Sequence, residues 1–174
     1  LIHSKINEAL GDNSEPWVLI GGPPCQAYSL VGRAKNAGTK GYVPEDDDRH
    51  FLYKEYLDII TQFEPTVFVM ENVKGLLSSK IRGIPIFDQI LLDLKHPGQG
   101  RTKYNIFSLS NAPRSNDLFG PVFNSKDFII KAEEYGVPQA RHRVILLGVR
   151  SDVPVNQAQL LLAKAPGVTV GQVL

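Results

Sequence analysis

Three groups of residues carry whatever chemistry this chain performs. The first is Cys25, its single cysteine, in the stretch GGPPCQAYSLVGR (21–33) just past the apolar run WVLIGG (17–22). A thiolate is a nucleophile and benefits from fixed placement. Pro23 and Pro24 fix φ at two successive positions and remove two backbone donors, so the corner holding Cys25 is stiff. The second is Glu71, at the end of the run TVFVMEN (66–72), a carboxyl that can give or take a proton. The third is YGVPQARHR (135–143), where Arg141 and Arg143 flank His142. In an extended segment alternate side chains share a face, so both guanidinium groups would grip a phosphate or a base edge. Each group also has an ordinary reading. A lone cysteine is often a small buried apolar group, a strand-end glutamate a cap or ion-pair partner, and an arginine-rich stretch a solvated edge strand. His3, His50, His96 and His142 show no metal-ligand spacing, and no metal is expected.

The elements that must position these groups can be read from hydrophobic periodicity. WVLIGG (17–22), TVFVMEN (66–72) and VILLGV (144–149) are short continuous apolar runs of the kind that form buried strands. Between the first two, Phe51, Leu52, Tyr56, Ile59, Ile60 and Phe63 recur at helical spacing over 49–63, and Pro65 follows. A second helix is predicted over 85–95, stopped by His96-Pro97-Gly98. YNIFSL (104–109) reads as a strand between loop-like stretches, and DFIIKAEEYG (127–136) as a strand ending in a turn. Strands alternating with helices indicate an α/β fold with a mostly parallel sheet. In such sheets ligands sit beyond the carboxyl ends of the strands, where Cys25 and Glu71 both fall.

The chain has 174 residues, 43% hydrophobic and 21% charged, with a formal net charge of +1. That length and balance fit one soluble domain with a real core. One cysteine excludes an internal disulfide framework and fits a reducing, cytoplasmic setting. No apolar run is long enough to span a bilayer, and no membrane partner is expected. The net charge does not advertise nucleic-acid binding, so any such contact must be local. The chain begins within a predicted helix without a Met and stops at an apolar segment, so it reads as an excerpt of a longer protein.

Taken together, the three motifs resemble the DNA cytosine-5 methyltransferase family, in order and at matching spacing from about residue 17 to about residue 150. The family's Pro-Cys-Gln motif appears as Pro24, Cys25 and Gln26, followed by Tyr28, Ser29 and Gly32. Its Glu-Asn-Val motif appears as Glu71, Asn72 and Val73, and its Gln-x-Arg-x-Arg motif as Gln139, Arg141 and Arg143. A weaker match covers Arg49, Leu52 and Glu55. The resemblance implies a Rossmann-like methyltransferase sheet, present in part as the C-terminal portion of a catalytic core over 1–150. Residues 151–174 then form a junction towards a target-recognition region.

The resemblance also implies a mechanism. Cys25 adds to C6 of cytosine, making C5 reactive, and S-adenosylmethionine supplies the methyl group. Glu71 faces the Watson–Crick edge, which asks its carboxyl to donate a proton. Arg143 holds the base near O2, and Arg141 organises the pocket or contacts a phosphate. Since C6 cannot be attacked inside a stacked duplex, the substrate is double-stranded DNA with the cytosine flipped out. Gln26, Ser29, Arg33, Asn72 and Gln139 are expected to contact the DNA or base, and Asn72 also to order the turn that places Glu71. The loop GRAKNAGTKGY (32–42), with three glycines and three basic residues, is expected to act as a lid, or else as an ordinary surface loop.

The cofactor is where the chain departs from the family. The glycine-rich turn and strand-end acid that hold the cofactor are expected before this region, leaving only Pro24 and Leu52 as pocket wall. The chain alone is therefore expected to bind cofactor weakly or not at all, and to be inactive as a fragment. A bacterial, nucleoid-associated enzyme with a cognate restriction endonuclease is expected. The alternatives are a transfer-RNA cytosine-5 methyltransferase, or a non-catalytic nucleic-acid-binding module of the same fold. Residues 110–126 have no counterpart in the family core and no functional reading.

Overall fold

The computed structural model describes residues 1–12, 15–24, 52–81, 83–100, 102–118 and 120–173. In chain order the main elements are α1 (Ile2–Leu10), β1 (Val18–Gly21), α2 (Tyr53–Phe63), β2 (Val67–Val73), α3 (Ile86–Lys95), β3 (Tyr104–Phe107), β4 (Ile129–Lys131) and β5 (His142–Arg150). The five strands form one sheet in the order β1–β2–β5–β3, with β4 also on β5. β1 and β2 pair in parallel, Val18 opposite Val67 and Gly21 opposite Met70. β5 runs antiparallel to β2 along the whole of β2, and its other edge carries β4 and β3, both antiparallel.

The expectation of an α/β fold holds, but the mostly parallel sheet is corrected. Among the five strands only β1 and β2 bond in parallel. A parallel pair needs a crossover, which α2 supplies between β1 and β2. β4 reaches β5 through the short turn 132–141, and so brief a return joins neighbours antiparallel. β5 is thereby inserted between β2 and β3, which run the same way, and its first residues lie beside the carboxyl end of β2.

The helices cover one face of this sheet. Phe68 and Met70 of β2, Val144 and Leu146 of β5, and Ile106 of β3 pack against Tyr56, Ile60, Phe87, Ile90 and Leu94. Burial of each large side chain of this kind stabilises by about 1.5–3 kcal/mol. Phe68 faces Gly148 across the β2–β5 ladder, and a Cβ at 148 would come within 2.1 Å of its ring. The glycine is therefore required by packing. Buried phenols close the layer: Tyr56 donates to the Val69 carbonyl at 3.0 Å and Tyr104 to the Pro65 carbonyl at 2.8 Å. Burial pushes the pKa of both phenols up.

The other face is covered only in part. Phe107, Leu147 and Val149 lie under Val153, Val155 and Leu160 of the segment that follows β5. That segment is tied down by Leu162 N–H to the Leu109 carbonyl (2.8 Å) and Ala165 N–H to the Glu134 carbonyl (3.0 Å). Lys164 and Lys131 both bond the Glu134 carboxyl and hold its pKa down to about 2. Near β1 the same face is open.

The predicted helix over 85–95 appears as α3, and that over 49–63 appears as α2 within the described residues. The stretch read as loop after 109 contains a hairpin pairing Ser115–Asp117 with Gly120–Val122. Among the described residues no helix is long and apolar enough to cross a membrane.

Candidate active site

Alternation along β2 divides its residues between the two faces. Phe68, Met70 and Asn72 point to the helices, while Val67, Val69, Glu71 and Val73 point to the other side. The antiparallel register places Glu71 opposite Ile145 and Val73 opposite Arg143. Glu71 and Arg143 are therefore diagonal neighbours on one face, within reach of each other for long side chains.

They meet. Arg143 Nε lies 2.7 Å from Glu71 Oε1, with Glu71 43% and Arg143 24% exposed. This Nε is buried and its N–H is not aligned on the carboxylate as a hydrogen bond. The guanidinium is steadied by its own strand, Nη1 donating to the His142 carbonyl at 2.8 Å. An ion pair this open to water contributes only about 0–1 kcal/mol. What it provides is a carboxylate and a forked donor side by side at the carboxyl edge of the sheet.

Asn72 is the inward-facing neighbour, 4% exposed. Its Oδ1 accepts from the Val73 N–H at 2.8 Å, and its Nδ2 donates to the Pro23 carbonyl at a long 3.5 Å. Its side chain is thus engaged in joining the end of β2 to the segment that leaves β1, the turn-ordering position. Gly22 completes this junction. A Cβ there would stand 3.0 Å from Glu71 Oε2, so the backbone leaving β1 passes directly against the carboxylate. Pro24, covalently bonded to Cys25, ends this described segment. Cys25 itself, with Gln26, Ser29, Arg33 and the loop 32–42, lies outside the described residues.

Arg141 does not join Arg143. Strand β5 starts at His142, which leaves Arg141 in the preceding turn, its N–H donating to the Gln139 carbonyl at 2.8 Å and its carbonyl accepting from Ala132 N–H at 3.0 Å. Of the two arginines, Arg143 is the one that pairs with Glu71. Arg141 and Gln139 are both exposed in that turn.

Sequence reasoning missed the partner of His142. Its Nε2 lies 2.6 Å from Glu133 Oε1 across the β4–β5 turn. Glu133's own backbone N–H and the His142 ring hold that carboxyl below the usual range. It also missed Gly22 and the Pro23 carbonyl as parts of the site. The signal for Gly22 was the second glycine of WVLIGG, placed where β1 meets the end of β2.

Leu52, partly buried, opens α2, and Pro24 is exposed after β1. The glycines at the end of β1, Gly21 and Gly22, offer no cradle for a cofactor. A Cβ at Gly21 would lie 2.7 Å from the Tyr56 ring, and Gly22 is pressed against Glu71. Both glycines are filled by protein, and Glu71, the acid at the end of β2, is held by Arg143. The described residues do not fit an S-adenosylmethionine site. They also gather no cluster of metal-ligating side chains.

Comparison with known proteins adds four findings. The C-5 cytosine-specific DNA methylase family matches residues 3–167. The chain is 38% identical over 132 residues to the Type II methyltransferase M.Bpa9945I of Bacillus paralicheniformis, covering 75% of this chain and 24% of that protein. It is 30% identical over 155 residues to the Type II methyltransferase M.BspRI of Lysinibacillus sphaericus, covering 89% and 28%. The chain thus spans about a quarter of the length of these relatives. A solved structure from Escherichia coli, described as a DNA modification methyltransferase encoded within a prophage, superposes with a TM-score of 0.58 at 23% identity. It covers 97% of this chain and 37% of that one, a likeness of fold.

Proposed function

The chain belongs to the C-5 cytosine-specific DNA methylase family, and on that premise we propose that it is part of the catalytic core of an enzyme that methylates C5 of cytosine in DNA. The observation that carries this reading is the junction of Glu71, Arg143 and Gly22 at the carboxyl edge, on the segment that leads into Cys25.

In this reading the Cys25 thiolate adds to C6 of a cytosine rotated out of the duplex, breaking the C5–C6 double bond and raising electron density at C5. Glu71 faces N3 and the exocyclic amine and offsets the charge that develops as sulfur adds. Arg143 lies beside it for O2, where a planar guanidinium matches the base edge. Base binding then replaces the close Glu71–Arg143 pairing. Asn72 acts from behind, holding the Pro23 carbonyl and with it the approach to Cys25. After methylation the C5 proton leaves and the thiol is expelled, restoring the ring. Gln26, Ser29, Arg33, Gln139 and Arg141 serve the strand around the flipped nucleotide, and double-stranded DNA is the substrate. The family implies S-adenosylmethionine as the methyl donor, and its place lies outside the described residues of this chain. Both relatives are Type II methyltransferases, so a cognate restriction endonuclease is the natural partner.

The test is transfer of a labelled methyl group to DNA by the full product of the reading frame, with Glu71→Gln beside it. The variant should lose at least about 100-fold in rate while still binding DNA. A near-normal rate would remove Glu71 from the chemistry.

A further inference from the structure

Beyond Glu71 and Arg143, the carboxyl edge opens into a cavity of about 750 Å³ between two short turns, Lys74–Ser78 after β2 and Ser125–Phe128 before β4. Lys74, Ser125, Lys126, His142 and Arg143 line it, and among the described residues no carboxylate does. Arg143 is paired with Glu71 and His142 with Glu133. Lys74 and Lys126 have no carboxylate partner among the described residues. The contrast with a second cavity, at the far end of β5, is direct. That one, about 420 Å³, mixes Lys103 and Arg150 with Glu64 and Asp152 and is internally neutralised.

Two unpaired ammonium groups over one cavity repel each other and attract an anion. Hydroxyl donors stand beside them, and the rest of the lining is largely aliphatic, as suits the sugar of a nucleotide. Arg143 borders both this cavity and the proposed base site, so whatever occupies the cavity is continuous with what occupies that site. We infer that this cavity receives a backbone phosphate of the nucleic-acid strand that carries the target base, with Lys74 and Lys126 as its cationic partners. The inference rests on the reading under Proposed function and extends it. It gives the end of the 110–126 stretch a role in seating the strand. Such phosphate interactions fix register on the duplex and carry no sequence information.

The test is the affinity of the full product of the reading frame for a labelled DNA duplex as a function of salt, for the unaltered protein, Lys74→Ala, Lys126→Ala and the double variant. Removing one phosphate-binding ammonium should lower the slope of log affinity against log salt by about one and weaken binding several-fold for every duplex sequence alike. Lys103→Ala, from the mixed-charge cavity, should change neither. Unaltered slopes in both lysine variants, against an unaltered full product that binds DNA, would overturn the inference and leave the proposed function standing. A full product with no salt-sensitive DNA binding would overturn both.

Discussion

On the helix-covered face of the sheet Phe68, Met70, Val144 and Leu146 are each no more than 1% exposed, while on the opposite face Val18 and Ile20 are 54% and 76% exposed and Glu71 and Arg143 are partly open to water. The same strands build both faces. Even-numbered residues of β2 face the helices and odd-numbered ones the opposite face, because side chains alternate along a strand. On that opposite face Val67 and Val69 pack against the cluster of Phe107, Leu147 and Val149, and Glu71 reaches the site. Folding energy and chemistry are thus interleaved residue by residue along one seven-residue strand, and substitutions should separate them cleanly.

The largest effect belongs to the closed face. Phe68→Ala should cost about 3–5 kcal/mol in urea unfolding, as expected for a buried aromatic. Gly148→Ala should cost about 1–3 kcal/mol, because the new methyl group runs into the Phe68 ring. The double variant should lose less than the sum, since the methyl then fills part of the space the ring vacates. On the open face Ile20→Ser should stay within about 0.5 kcal/mol. Equal losses at Phe68 and Ile20 would break the comparison.

An intermediate effect is expected at Asn72, which faces the core but serves the site. Asn72→Ala should cost about 1–3 kcal/mol by leaving the Val73 N–H without its partner. It should also speed amide exchange in Gly22, because the tether to Pro23 is gone. Loss of stability without faster exchange there would make Asn72 a core residue only. A small effect on stability is expected from Glu71→Gln, within about 1 kcal/mol, although the same change should abolish most of the activity.

Much of this was legible in the sequence, for identifiable reasons. The runs that became β1 and β2 and the helix at α3 carry strong local periodicity, and Glu71 could be placed at a strand end from its run alone. The antiparallel course of β5 was not legible, because VILLGV reads the same in either direction and only the short 132–141 return decides it. That direction creates the diagonal between Glu71 and Arg143. The hairpin around Gly120 escaped because its strands are three residues long and partly polar. The basic cavity escaped because Lys74 and Lys126 stand far apart in the chain and meet only through the fold.

The central claim is that Cys25 attacks C6 of a flipped cytosine at the edge formed by Glu71 and Arg143. It is tested most directly by mass spectrometry under denaturing conditions after incubation with S-adenosylmethionine and DNA containing 5-fluorocytosine. Fluorine at C5 blocks the final elimination, so the adduct should persist. The 174-residue chain and the full product of its reading frame would be compared, each with Cys25→Ser. The account predicts a covalent protein–DNA species on the full product that vanishes with Cys25→Ser. An adduct that survives Cys25→Ser, or none at all on a protein that binds the DNA, would contradict it.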